Sequence, residues 1–142
     1  MPQTHDVAKS ILNERFGKDS LIALATADEN IPSVRTVNAY YEDSSFYIIT
    51  WSRSGKMQQI KSNPNVAVSG DWFTAHGVGE NLGHVLKEEN LSMLRTLRRA
   101  FSSWYSNGHV DENSPETVLL RIRLTDGVLF SGGTRYELHF PL

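Results

Sequence analysis

The chain has no cysteine among its 142 residues. It therefore has no disulfide framework, no thiol nucleophile and no cysteine-ligated metal site, and nothing in it indicates an oxidising compartment. Apolar stretches are short, and no window approaches the roughly 20 apolar residues of a membrane-spanning helix. The N-terminal segment also lacks the apolar core of a signal peptide. These absences predict a soluble, cytoplasmic protein.

A basic excess is missing as well. Charges of both signs are scattered along the chain, and the formal net charge is −2. Because nucleic-acid-binding domains concentrate lysine and arginine, we expect no nucleic-acid partner and no membrane surface as partner, and any bound phosphate should belong to a small molecule. No Pro/Gly/Ser-rich linker or internal repeat interrupts the sequence. Residues 1–142 are therefore expected to form a single domain.

Short strands dominate the pattern. The segments "SLIALAT", "PSVRTVNAY" and "SFYIIT" are rich in β-branched and aromatic residues and are separated by turn-like "ADEN" and "EDSS". Strand character returns in residues 65–85 and 117–130, while helical spacing is confined to residues 4–17, 54–63 and 86–108. About six antiparallel strands with few helices predict a mainly β fold, a closed or nearly closed barrel with flanking helices.

The stretch "TWSRSGK" connects a predicted strand to a predicted short helix. It is not a Walker A motif, because Thr50 stands in place of the first glycine and Met57 follows the lysine. Hydroxyl groups, a lysine and the free N–H groups of a helix start nevertheless favour an anion site. Arg35, on the preceding strand, could add a second cation to Lys56 and so bind a phosphate dianion. The alternative is that Ser54 only caps the helix and that Lys56 lies in solvent.

Other motifs give weaker signals. His76, Glu80 and His84 share one face of a predicted strand, but at ~3.3 Å per residue the two histidines would lie roughly 26 Å apart, too far to share one ion. We therefore predict no metal site. The G-x-S-x-G motif of acyl-transfer enzymes is absent from the sequence.

The order of Arg35-Thr36-Val37, the aromatic strand "FYIIT", the Ser54-Gly55-Lys56 turn and "QQIKSNPNVAVS" resembles the pyridoxamine 5′-phosphate oxidase-like family, the split barrels that bind flavin mononucleotide (FMN). The resemblance implies a split-β-barrel homodimer with FMN near the subunit interface. Arg35, Ser54 and Lys56 would hold the FMN phosphate. The implied cofactor-binding residues are Arg35, Thr36, Val37, Thr50, Trp51, Ser54, Gly55 and Lys56, with the backbone around Thr36, Val37, Thr50 and Trp51 lining the isoalloxazine ring and the ribityl chain.

Some family features are absent. Many members carry arginine where this chain has Gly55, so the phosphate would need Arg53 as a substitute. The vitamin-processing oxidases carry lysine where this chain has Tyr40. They also end in an arginine-rich segment, whereas the C-terminal segment of this chain, "GGTRYELHFPL", offers only Arg135. The resemblance therefore predicts a small FMN-dependent oxidoreductase of unknown substrate. The alternatives are a flavin-binding or sensing protein without turnover and a barrel that binds haem instead.

Overall fold

The computed structural model describes residues 4–142. None of the helices in this range is long and apolar enough to cross a membrane. The helices are α1 (Thr4–Phe16), α2 (Gly55–Ser62) and α3 (Leu91–Ala100), with a short 3-10 helix at Glu88–Asn90. The strands are β1 (Ser20–Asp28), β2 (Ile31–Glu42), β3 (Ser45–Trp51), β4 (Asn65–Gly70), β5 (Phe73–His84), β6 (Thr117–Ser131) and β7 (Thr134–His139).

All strand pairs are antiparallel, and the sheet order is β3-β2-β1-β4-β5-β6-β7. Strand β3 also pairs with β6, which closes β1 to β6 into a six-stranded barrel. Closure removes the sheet edges that would otherwise expose unpaired backbone groups. The predicted mainly β split barrel is thereby confirmed.

Strand β7 is an addition to the predicted strands. It pairs with β6 through a tight hairpin in which Gly132 and Gly133 both have positive φ, 55° and 79°. Two consecutive glycines suit the turn that matches the twist of a hairpin, because both central residues of that turn lie in the left-handed region. The Gly-Gly pair was therefore the signal for the seventh strand.

Aromatic rings fill the barrel interior beneath helix α1. Phe16, the last residue of α1, packs edge-on against Phe46 of β3 with the ring centroids 5.6 Å apart, and against Phe73 of β5 at 5.7 Å. All three side chains are buried. Each such ring contributes roughly 1.5–3 kcal/mol by leaving water. The helix therefore caps the barrel, as its apolar face predicts.

A second apolar cluster lies outside the barrel, where Leu94, Leu97 and Phe101 pack on Leu119 of β6. The predicted helix over residues 86–108 is wrong at both ends, since α3 spans only Leu91–Ala100. Trp104 and Tyr105 lie in turns beyond Ala100, and their polar groups bond to other parts of the chain. Trp104 Nε1 donates to Asp19, and the Tyr105 hydroxyl donates to Glu112.

Candidate functional site

Arg35 lies on β2 and is held by neighbours on two other elements. Its Nη1 donates to the Leu24 carbonyl at 3.2 Å and to the Thr26 hydroxyl at 2.7 Å, both on β1. Its Nη2 donates to Gln59 Oε1 on helix α2 at 3.4 Å. A guanidinium has five N–H donors. Its Nε–H and one Nη2–H have no acceptor within residues 4–142, and these two donors remain for a ligand.

Lys56 lies in the first turn of helix α2, directly after the β3 strand. Ser54 is the N-cap residue, and its hydroxyl accepts the N–H of Met57 at 3.4 Å. The cap is therefore real, but Lys56 does not extend into solvent, because its side chain is half-buried. Within the described chain it forms no ion pair and no hydrogen bond. The capping interpretation is therefore confirmed for Ser54, its expectation that Lys56 lies in solvent is wrong, and the anion site stays a prediction.

The pKa values of both cations are lowered, and the charge of Arg35 contributes to the effect on Lys56. Burial, and after it the positive charge of Arg35, lowers the pKa of Lys56. Burial also lowers the pKa of Arg35. Like charges that lack a carboxylate partner and are partly removed from water are unfavourable in the free protein. A phosphate dianion would relieve this repulsion, so the electrostatics of the site favour an anionic ligand.

The turn around Gly55 is open. A Cβ atom placed on Gly55 would meet nothing within 4 Å, so the space where many relatives carry arginine is empty of protein. Arg53 does not fill it, because its guanidinium lies 3.7 Å from Glu116 and is largely exposed. The chain therefore presents Arg35 and Lys56 without a third cation from this turn.

A cavity of about 430 Å³ extends from Lys56. Strand β2 contributes Val37 and strand β3 contributes Ile49, while Trp104 and His109 lie on the opposite wall, in the connection between α3 and β6. The Trp104 ring stacks on Phe101 at a centroid distance of 4.9 Å. The lining mixes apolar side chains with Asn38, Asn107 and His109, and with Lys56 among them it suits a partly polar aromatic molecule that carries an anionic group.

The other predicted site residues are distributed around this centre. Val37 lines the cavity, whereas Thr36 is exposed on the opposite face of β2. Thr50 is buried in the barrel wall, with 9% of its surface exposed, and Trp51 is 55% exposed at the end of β3. Strand alternation explains this division, because consecutive side chains point to opposite faces. Side chains of Thr36 and Trp51 are therefore placed away from the Arg35 guanidinium.

Sequence reasoning missed Thr26 and Gln59, which hold Arg35. Thr26 belongs to no recognisable motif, whereas Gln59 lies in the "QQIKSNPNVAVS" segment without having been singled out; the two residues are 33 positions apart. The one available signal was polarity inside an apolar pattern, since Thr26 occupies an inward position of β1 between Leu24 and the turn after Asp28. The Thr26 hydroxyl donates to Gln59 Oε1. Only 2% of the surface of Thr26 is exposed.

The histidines do not form a metal site. His76 Nδ1 lies 3.0 Å from the Asp126 carboxylate on the barrel surface, and His84 Nε2 lies 2.7 Å from the Glu112 carbonyl. Across residues 4–142 no three histidine, aspartate or glutamate side chains are grouped so that they could hold a metal ion.

The fold is a split barrel in which Arg35 and Lys56 lie near each other beside helix α2. A family model described as pyridoxamine 5′-phosphate oxidase matches residues 9–129. Because this match covers most of the chain, the chain belongs to the pyridoxamine 5′-phosphate oxidase family, which confirms the resemblance seen in its sequence. The pyridoxine/pyridoxamine 5′-phosphate oxidase of Vesicomyosocius okutanii subsp. Calyptogena okutanii (strain HA) is 32% identical over 123 residues, 80% of this chain. The chain spans only 56% of that relative.

Solved structures share the fold at low identity. A haem-binding protein from Mycobacterium smegmatis superposes with a TM-score of 0.71 at 12% identity, covering 98% of this chain and 59% of that chain. An FAD-binding protein from Mesorhizobium loti superposes with a TM-score of 0.63 at 17% identity, covering 83% of this chain and 90% of that chain. These two proteins show that the same barrel carries different ligands.

Proposed function

We propose that this chain is an FMN-binding flavoprotein that acts as a small flavin-dependent oxidoreductase. The observation that carries the proposal is the pair formed by Arg35 and Lys56, two partly buried cations on neighbouring elements. Within the described residues neither has an acidic partner. Membership of the pyridoxamine 5′-phosphate oxidase family supports a flavin as the ligand.

The donor set fits the phosphate of FMN. Arg35 keeps two N–H donors, Lys56 has three, and the first turn of helix α2 adds backbone N–H groups and the positive end of the helix dipole. Charge-assisted hydrogen bonds of this kind are about twice as strong as neutral ones. The phosphate would therefore supply a large share of the affinity.

The adjoining cavity would take the flavin ring, with Val37 and Ile49 on the barrel side and Trp104 on the other. When bound, FMN would supply the transfer of a hydride or of single electrons. The chain would bind and orient the cofactor, and the stacked aromatic pair of Phe101 and Trp104 would keep water from that side of the ring.

A second function is a ligand-binding or sensing role without turnover, with flavin or haem as the ligand. His109 in the cavity wall favours this alternative for haem, because histidine is a common axial ligand of haem iron. The haem-binding protein with the same fold supports it as well. The visible spectrum of the purified protein distinguishes the two cofactors.

We also propose that the protein is a homodimer with the site near the interface. A row of outward positions crosses five adjacent strands, from Val34 through Ala25, Ala67 and His76 to Asp126. Ala25 and Ala67 are small, so the face is recessed there into a cavity of about 300 Å³, and Val34 is 69% exposed on it. Val34 directly precedes Arg35 on β2, so a second copy on this face would contact the strand that carries Arg35, although the two side chains point to opposite faces of it.

Titration of the protein with FMN and with riboflavin tests the function. FMN should bind far more tightly, and Arg35→Ala or Lys56→Ala should weaken FMN by about 1.5–3 kcal/mol, the range for a hydrogen bond to a charged group. Lys61→Ala is the matched control, because Lys61 is exposed in the last turn of the same helix. Equal affinity for FMN and riboflavin, or unchanged affinity in both site variants, would contradict the proposal.

A further inference from the structure

Three polar side chains converge behind the Arg35 guanidinium. Thr26 accepts a hydrogen bond from Arg35 Nη1 at 2.7 Å and donates its own hydrogen to Gln59 Oε1. Gln59 Oε1 also accepts from Arg35 Nη2 at 3.4 Å. The amide is held at its other end, because Gln59 Nε2 donates to the Ser33 hydroxyl at 3.4 Å. Each hydrogen in this network has a defined direction.

The direction follows from the chemistry of the groups. A guanidinium only donates hydrogen bonds, so the Thr26 oxygen must accept from it, and the Thr26 hydroxyl must donate its own hydrogen to another acceptor. The nearest acceptor is Gln59 Oε1, and this fixes the carbonyl of the amide toward Arg35 and its NH₂ toward Ser33. Acceptors on strand β1 and helix α2 thus bind one edge of the guanidinium. The Nε–H and one Nη2–H on the other edge have no acceptor within the described residues.

We propose that Thr26 and Gln59 are positioning residues that aim the free N–H donors of Arg35 at the phosphate of the cofactor. The inference rests on the proposed function and deepens it, because it assigns the selectivity for the phosphate to Thr26 of β1 and Gln59 of α2 as well as to the two cations. Thr26 is buried and lines no part of the cavity beside Lys56; it borders a separate cavity together with Asn63 and Val66, so toward the Lys56 site it acts through Arg35.

Gln59 also couples the two cations. It lies three residues after Lys56 on helix α2, and residues three apart share one side of a helix. A hydrogen bond from Arg35 to Gln59 therefore ties the arginine of β2 to the helix that carries the lysine. Without this tie a long arginine side chain would sample several rotamers, and part of the binding free energy would be lost in ordering it.

The experiment compares affinities for FMN and riboflavin in isosteric variants of the full chain. Thr26→Val keeps the shape and removes the hydroxyl, while Thr26→Ser keeps the hydroxyl. Gln59→Leu removes the amide, and Gln58→Leu is its control, because the neighbouring Gln58 donates only to the Arg53 carbonyl. Inorganic phosphate serves as a competitor of FMN in the same titrations.

Thr26→Val and Gln59→Leu should each lower the ratio of FMN affinity to riboflavin affinity by roughly tenfold. This is the change expected for the loss of about one charge-assisted hydrogen bond to the phosphate. Riboflavin affinity should change little, competition by phosphate should weaken in parallel, and Thr26→Ser should restore the preference. A purely structural role would weaken both flavins equally, and that result would overturn the inference. An unchanged preference in both variants would also overturn it while leaving the proposed function intact. A wild-type chain without any preference for FMN would overturn both.

Discussion

The side chain of Lys56 on helix α2 lies close enough to Arg35 on β2 for the arginine charge to lower its pKa, in addition to the larger effect of burial. A phosphate dianion between the two would reverse both effects, because it replaces lost hydration and cancels the repulsion. The pKa of Lys56 should therefore be higher in the complex than in the free protein. Binding and protonation are linked at this residue.

This linkage predicts a pH dependence. As pH rises through the lowered pKa of Lys56, the free protein loses the proton and FMN affinity should fall, at pH values below the ordinary 10.5 of lysine. Lys56→Arg should bind FMN with little change from about pH 7 to about pH 9.5, because arginine stays charged throughout. Dissociation constants from flavin fluorescence at each pH measure the effect. The same decline in both proteins would place the titrating group elsewhere.

A third cation should strengthen the site. Gly55 is the first residue of α2, and a Cβ there meets no atom within 4 Å. Gly55→Arg should therefore fold normally and tighten FMN by about tenfold, since one further charge-assisted bond becomes available.

Gly55→Gln is the matched control for this variant, because it adds a side chain of similar length without the charge. Riboflavin affinity should stay constant in both. If Gly55→Arg and Gly55→Gln change FMN affinity equally, the gain does not come from the phosphate.

Local patterns in the sequence were enough to predict the barrel, whereas the Arg35–Lys56 pair was preferred over a simple helix cap only because of the family resemblance. Strand alternation marked the meander, and the cap residue Ser54 marked the start of α2. Neither the Thr26–Gln59 support nor the position of Trp104 could be predicted, because each depends on one hydrogen bond between residues that are distant in the chain, Thr26 with Gln59 and Trp104 with Asp19. Such contacts depend on the closed barrel and leave no periodic signal.

A clamp of three side chains holds the segment that carries the cavity wall. Arg98 Nε donates to Glu112 at 2.8 Å and the Tyr105 hydroxyl donates to the same carboxylate. Glu112→Gln should lower the free energy of unfolding by about 0.5–1.5 kcal/mol at neutral pH, a modest value because Arg98 is partly exposed. Urea denaturation measures the difference, and Glu14→Gln on the exposed face of α1 is the control.

The pH dependence of this clamp has a defined sign. The hydrogen bond from Arg98, followed by that from Tyr105, lowers the pKa of Glu112 below the ordinary 4.5. The stabilisation is therefore fully present above the ordinary pKa of 4.5 that applies to the unfolded chain, and it is lost as pH falls through the lowered pKa of the folded protein. The difference between wild type and Glu112→Gln should shrink in acid. A difference that stays constant down to about pH 2 would contradict the ion pair as its source.

The outer face that runs from Val34 to Asp126 predicts the oligomeric state. Ala67 lies in the middle of the row that joins Val34 to Asp126, so Ala67→Arg would place a charge in the proposed interface. We expect a dimer for the wild type and a monomer for Ala67→Arg in sedimentation equilibrium at micromolar concentration with FMN present. Ser102→Arg, on the exposed segment after α3, should remain dimeric. A monomeric wild type would refute the proposed dimer.

The last prediction is that the chain has no appreciable pyridoxamine 5′-phosphate oxidase activity, although it belongs to that family. A phosphorylated substrate needs its own cations, because a dianion stripped of water must recover its hydration from charged or N–H donors. The position of the family lysine is occupied by Tyr40. Its hydroxyl lies 3.4 Å from the Glu42 carboxylate, and burial raises its pKa, so it remains a neutral phenol beside a negative charge.

Arg135 offers no substitute, because it lies on β7 and forms an ion pair with Glu137. The assay supplies pyridoxamine 5′-phosphate and oxygen to the FMN-loaded protein and follows the formation of pyridoxal 5′-phosphate, with the flavin absorbance as proof of loading. Only a background rate is expected, and Tyr40→Lys should raise substrate affinity by restoring one phosphate contact. Turnover by the wild type on the order of 1 per second or more, an ordinary enzymatic rate, would show that another set of cations binds the substrate phosphate.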